Sequence, residues 1–239
     1  MNAAMYKAVS GSVAQMRRLD IATQNLANLK TPAFKGQRLA FGEMFASQPP
    51  ADPTGGSVAI AEQRTDFSQG EIQHTGNDFD LALDGEGFFV LKGRFGPRYT
   101  REGTFTRASD GTMMNSAGEP VMGDGGEPIR ITGHKVEVNA EGVVRTEEGE
   151  MGRLKIVRFG DRRVLSKEPR GLYRAPETIK PEPAAEYRVL QGSVEQSNVN
   201  PIDAMVALIT LHRQFEAYSK VMQMMDGATA RMLSEGARL

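Results

Sequence analysis

All 12 prolines of this 239-residue chain lie between Pro32 and Pro201, so residues 1–31 and 202–239 contain none. Glycine crowds the same middle, with 18 of the 26 between residues 70 and 171. Proline removes a backbone donor and clashes inside a helix, and glycine loses the most conformational freedom there. The two ends are therefore able to form long helices, and the middle is not. This division is the strongest constraint in the sequence.

The C-terminal end carries the clearest period. Ala204, Leu208, Leu211, Phe215, Tyr218, Met222, Met225, Thr229 and Met232 are spaced alternately four and three apart, and only Thr229 is not apolar in character. That spacing predicts a helix with a heptad seam. Asn200 followed by Pro201 supplies an N-cap and a first-turn proline, and Asp203 suits the helix dipole. Glu216 and Lys220 have the favourable i, i+4 order. The N-terminal end repeats the pattern at Met5, Val9, Ser12, Met16, Leu19, Thr23 and Leu26. That helix should stop near residues 28–30, because Thr31 precedes a proline. Taken together, the two stripes predict a terminal coiled-coil pair.

Residues 33–75 read as an extended linker around the breaker cluster at 48–56, with short extended pieces at Val58, Ile60 and Phe67. From residue 76 the pattern is β. Phe79, Leu81 and Leu83 alternate with Asp80, Ala82 and Asp84. A turn at Gly85–Gly87 leads into the buried run Phe88–Leu91, and Gly96–Pro97 punctuates before 98–105. Val136–Val138 and Val143–Val144 flank a hairpin turn, and Leu154–Phe159 alternates again. Residues 170–183 are proline-rich and read as irregular. The fold class expected is α+β: N- and C-terminal helices forming a split coiled-coil domain (1–32 and 192–239), a linker (33–75), and a glycine-rich all-β domain (76–191) inserted between them.

Composition narrows the function classes. Lys plus Arg is 29 against 30 Asp plus Glu, a formal net charge of −1. A nucleic-acid binder needs a basic excess to displace counterions, so none is expected. With no cysteine there is no disulfide, thiolate metal site or cysteine nucleophile. The most apolar run, residues 204–211, is far shorter than a bilayer requires, so no direct membrane insertion is expected. Lys7, Gly11, Gln15, Arg17 and Arg18 interrupt the N-terminus, which predicts no secretory signal.

Candidate chemistry is sparse. His74, His134 and His212 have no paired spacing. Gly85 and Gly87 lack the third glycine of a dinucleotide loop, since Val90 stands there. Asp78, Asp80 and Asp84 are separated by strand-like Phe79, Leu81 and Leu83 rather than by a calcium loop. Gly11 and Ser12 lie in a helix pattern, not on a nucleophile elbow. Glu141, Glu147, Glu148 and Glu150 read as a solvated hairpin face. No catalytic residue, cofactor or metal is expected.

Four runs resemble bacterial flagellar rod and hook proteins. They are Asn25-Leu26-Ala27-Asn28 with Thr31-Pro32-Ala33-Phe34-Lys35; Asp84-Gly85-Glu86-Gly87-Phe88-Phe89; Tyr99-Thr100-Arg101-Glu102-Gly103-Thr104-Phe105; and Gly192 through Ser197, Asn198, Val199 and Asn200. They stand in the family's order and span nearly the whole chain. The wording Asn200–Val206 is nearest to proximal-rod members, with distal-rod members as the near competitor. Many members carry Asn where Gln24 stands and Gly where Ala33 stands; alanine predicts φ below zero there, a departure from a left-handed turn.

The resemblance implies a structural subunit, not an enzyme. Family members pair their terminal helices into an inner domain stacked about an axial channel, with the β domain outside. Subunits are exported by the flagellar type III apparatus without a cleaved signal and assemble beyond the inner membrane, in the periplasm-spanning rod. They join other copies and other rod proteins, within ring proteins, into a shaft that carries torque to the hook. Contacts that do not close into a ring build such an open helical array. The seam residues named above are the expected assembly interface, chiefly Met5, Val9, Met16, Leu19, Leu26, Ala204, Leu208, Leu211, Phe215, Tyr218, Met222, Met225 and Met232. Two other classes compete with this reading: a wall-cutting accessory enzyme, which would need a clustered acid pair, and a rod-bound adaptor that does not polymerise.

Overall fold

A computed structural model describes residues 3–40 and 62–236. The chain divides into two compact units. Met1–Ala27, Gln37–Arg64 and Asn200–Leu239 form the helix-bearing unit, and Asn28–Gly36 with Thr65–Val199 forms the β unit.

The helix-bearing unit contains α1 (Ala3–Ala27) and α2 (Pro201–Gly236). The start of α2 follows the sequence signal. The Asn200 side chain accepts from the Ile202 amide at 2.9 Å, its carbonyl accepts from the Ala204 amide at 3.0 Å, and Pro201 opens the helix. These bonds satisfy amides that a helix start otherwise leaves unpaired. α1 stops at Ala27, ahead of the Thr31-Pro32 step. A short strand, Gln37–Ala40, pairs with Glu62–Thr65. The sequence pieces at Val58 and Ile60 lie outside the described residues. No described helix is long and apolar enough to cross a membrane.

The expected split coiled coil around a single all-β insert is not what the structure shows. Among the described residues there are two α-helices of unequal length, 25 and 36 residues, and one 3-10 turn at Arg162–Val164. The remaining described chain carries many short strands, distributed over several separate sheets. The stripes are not a uniformly buried seam. In α2, Ala204 is buried, Leu208, Leu211, Phe215 and Met222 are half-buried, and Tyr218 is exposed. In α1, Met16 is exposed and Leu19 and Leu26 are half-buried, whereas Ile21 and Ala22, off the stripe, are buried. The side chains of Met5, Val9, Met225 and Met232 lie outside the described ones. Where the helices meet, a small residue is involved: a Cβ built on Gly11 would lie 3.7 Å from the Tyr218 ring. A four-three period reports an apolar face; it does not determine which surface covers that face.

The β unit is organised by one six-stranded sheet in the order Ser166–Glu168, Leu172–Arg174, Gly96–Thr100, Phe88–Gly93, Ile156–Arg158, Glu182–Pro183. Both of its faces are covered, which is why Phe88–Leu91 reads as a continuous apolar run. Phe89, Leu91, Ile156 and Leu172 enter one core with Leu81, Leu83, Phe105 and Val144. Phe88, Val90, Tyr99, Val157 and Tyr173 enter a second core with Phe159 and Leu165. Antiparallel register places Val90 opposite Tyr99 and Val157 opposite Phe88, so each core draws on adjacent strands. The hairpin Val136–Val138 with Val143–Thr146 forms as the sequence indicates. Two local readings change. Gly96–Pro97 opens a strand, Gly96–Thr100, rather than preceding one, and residues 170–183 contain the strands Leu172–Arg174 and Glu182–Pro183.

Candidate functional site

Residues from each of the four runs that carry the family resemblance meet in the β unit at a buried ion cluster. Glu195 ends the strand Ser193–Glu195, and its side chain is wholly buried. One carboxylate oxygen accepts from Lys35 Nζ and, at 2.8 Å, from the Gly70 amide. The other accepts from Arg101 Nε at 2.9 Å. Lys35 also donates to the Ser68 carbonyl at 2.7 Å. The Arg101 guanidinium donates to the carbonyls of Gly85 at 2.8 Å, Gly87 at 2.9 Å and Leu83 at 3.1 Å. The turn at Gly85–Gly87 thus presents its backbone oxygens to a buried cation. Positive φ at Gly85 and the near approach of Glu186 O, 2.6 Å from an added Cβ, leave no room for a side chain there.

The N- and C-terminal runs are stitched beside this cluster. The Ala33 amide donates to the Glu195 carbonyl at 2.7 Å, and the Asn198 amide to the Phe34 carbonyl at 3.2 Å. The Asn198 side chain accepts from the Gly36 amide at 2.8 Å and donates to the carbonyls of Asp66 and Ser68 at 2.8 and 3.0 Å. Phe34 is buried beneath Lys167, whose Nζ stands 3.8 Å from the ring centroid and donates to the Lys35 carbonyl at 2.8 Å. Ala33 keeps the left-handed turn that alanine was expected to avoid, with φ of 54°. The bond from its amide to Glu195 holds it there.

The other motif residues have local roles. In the helix-bearing unit, Asn25 exchanges two 2.9 Å bonds with the Gln37 backbone, and Asn200 caps α2. Leu26 is half-buried and Ala27 exposed. In the β unit, Thr31 Oγ1 donates to Asn28 Oδ1 at 3.0 Å. Asp84 Oδ1 accepts from Gln69 Nε2 at 3.4 Å, and Ser197 Oγ accepts from the Val199 amide at 3.3 Å. Phe88 and Phe89 fill opposite cores.

Electrostatics follow burial. Loss of hydration pushes the Lys35 ammonium below its ordinary range, and this outweighs the attraction of Glu195. Burial alone pushes Lys167 down to about 8. The Tyr173 phenol is raised, first by burial and then by the Glu195 charge, and its hydroxyl has no hydrogen-bond partner among the described residues. Beside the cluster a cleft of about 690 Å³ opens between Phe67, Phe88 and Gly160. Its rim carries Arg162 paired with Glu86 at 3.1 Å and Arg163 paired with Asp161 at 2.9 Å. No cluster of histidine and carboxylate ligands suited to a metal occurs among the described residues.

A second feature belongs to α2, where Ile202, Met205, Val206 and Ile209 are between 52 and 71% exposed. They lie beside the predicted stripe rather than on it. Nothing in the local sequence singles out Glu195 and Arg101 as site residues, although both stand within the quoted runs. The nearest thing to a local signal is the carboxylate of Glu195 following the buried Val194 in a short strand.

Comparison with known proteins bears on both features. A family model described as the flagellar hook protein FlgE/F/G D1 domain matches residues 82–146, and one described as the flagellar basal body rod FlgEFG protein C-terminal matches residues 190–235. The first segment supplies Arg101 and the glycine turn; the second supplies Glu195, Asn198 and most of α2. The flagellar basal-body rod protein FlgF of Caulobacter vibrioides is 34% identical over 93% of this chain and 93% of its own length. FlgF of Salmonella typhimurium is 28% identical over 95% of each chain. FlgG of Borreliella burgdorferi is 29% identical over 95% of this chain and 96% of its own. With the motif runs assembled into one buried cluster and the likeness running the length of both chains, the chain belongs to the flagellar basal-body rod protein family.

Proposed function

We propose that this protein is a structural subunit of the flagellar basal-body rod, in its proximal section, and that it assembles with other rod and hook components of the flagellum. The observation that carries this reading is the end-to-end likeness to named rod proteins. The open apolar surface of α2 supports it, because a subunit that polymerises needs contact area left uncovered in the monomer. We assign the assembly contacts to the helix-bearing unit, including the stripe residues Leu208, Leu211 and Phe215 and the exposed Met205 and Ile209. On this reading the chain travels through the flagellar type III export apparatus without a cleaved signal and ends within the ring proteins. The role requires no cofactor and no catalytic step.

The test is genetic and biochemical. In a strain lacking the chromosomal copy, a tagged chain should restore swimming and copurify with intact basal bodies at the rod. Complete basal bodies that form without the chain would overturn the assignment.

A further inference from the structure

The chain enters or leaves the β unit at residues 28, 36, 65 and 199. Three stretches next to these points, 33–36, 66–70 and 195–198, are tied to one another within that unit. The Asp66 amide donates to the Gly36 carbonyl at 2.8 Å. Asn198 bonds to Gly36, Asp66 and Ser68 together. Lys35 links Ser68 to Glu195, and Glu195 links Lys35, Gly70 and Arg101. Arg101 then fastens the whole to the carbonyls of Leu83, Gly85 and Gly87. A Cβ on Gly70 would lie 2.1 Å from the Gln196 carbonyl oxygen, so two of these stretches are in direct backbone contact.

We infer that Glu195 is a positioning residue: through Lys35 and Arg101 it locks the stems that lead out of the β unit into one rigid root. Buried charge suits this purpose better than apolar packing does. An ion pair removed from water tolerates little displacement, because separating it exposes an uncompensated charge. An apolar contact slides at small cost. A single carboxylate bound by two cations and an amide fixes three chain segments at once. The root stands on the β unit's own geometry; its consequence for assembly rests on the rod-subunit reading.

Amide hydrogen exchange on the full chain tests the root. In the unaltered protein the amides of Ala33, Gly36, Gly70 and Asn198 should open with one common protection factor, and scattered values would overturn the inference. In Glu195→Gln these amides should lose at least about tenfold more protection than those of Phe89, Leu91 and Val144, whose loss reports the change in global stability. Equal acceleration throughout the β unit, or none at the stems, would mean that Glu195 serves stability alone. Lys35→Met, which leaves Arg101 on Glu195, gives the same readout in a milder form, and Lys35→Arg should restore protection. Basal bodies provide the assembly arm: Glu195→Gln should be recovered in them at less than about a tenth of the unaltered level while the purified monomer remains folded. Full recovery would refute a role in assembly. If the unaltered chain were itself absent from basal bodies, the rod reading would fall and the exchange result would stand alone.

Discussion

Lys35 and Glu195 are 160 positions apart in the chain, and their side chains meet as an ion pair in which neither is more than 1% exposed. Arg101 shares the same carboxylate, so two cations depend on one anion. The surplus donors go to backbone carbonyls, the arrangement by which a buried charge cluster avoids the full cost of desolvation.

The asymmetry predicts an order of mutational cost. Lys35→Met leaves Glu195 with Arg101 and the Gly70 amide, and should destabilise by about 2 kcal/mol. Glu195→Gln leaves two buried cations facing a neutral amide, and should cost about 4 kcal/mol. Urea unfolding of both variants checks the order. A Glu195→Gln variant that is the more stable of the two would remove the carboxylate from the centre of the cluster.

Ala33 offers a gain in stability. Its φ of 54° is strained for a residue with a Cβ and comfortable for glycine. Ala33→Gly should stabilise by about 0.5–1 kcal/mol, after allowance for the freer unfolded chain. The midpoint of thermal unfolding should rise, and a fall would show that burial of the Ala33 methyl outweighs the strain.

Lys167 predicts a pH dependence. Its ordinary value is 10.5, and burial lowers it to about 8 in the folded protein. Between these values the unfolded chain holds more protons than the folded one, so raising the pH favours folding. The stability penalty from Lys167 is therefore complete below about pH 8 and is lifted progressively toward pH 10.5. Relative to Lys167→Met, the unaltered protein should gain stability from pH 8 to pH 10 in urea titrations. A constant difference between the two would refute the shift.

Tyr173 should behave as an orphan. Its ring packs on Phe67 and Phe88 with centroids 5.2 and 5.8 Å apart, but its buried hydroxyl lacks a partner among the described residues. Tyr173→Phe keeps the packing and removes the unmet polar group, so it should stabilise by about 1 kcal/mol. Calorimetry decides the sign, and destabilisation would reveal a bond that the hydroxyl makes in solution.

Much of the secondary structure was legible because its causes are local. Proline and glycine placement set where helices form, Asn200 and Pro201 set where α2 begins, and Thr31-Pro32 set the end of α1. Alternation marked the hairpin at Val136–Thr146, and the uninterrupted run at Phe88–Leu91 marked a strand covered on both sides. Local reading failed where the partner was distant. The four-three stripes announced an apolar face but not its cover, so the coiled coil inferred from them does not appear, and Ile202 and Ile209 stay open instead.

The site divides in the same way. The sequence alone determined which short runs were distinctive, among them those containing Lys35, Gly85 and Asn198, because their wording is written in neighbouring residues. Only the tertiary structure decided that these runs belong to one cluster centred on Glu195 and Arg101. A buried charge is tolerable only when its partner is brought to it, and that partner is chosen by the packing of segments far apart in the chain.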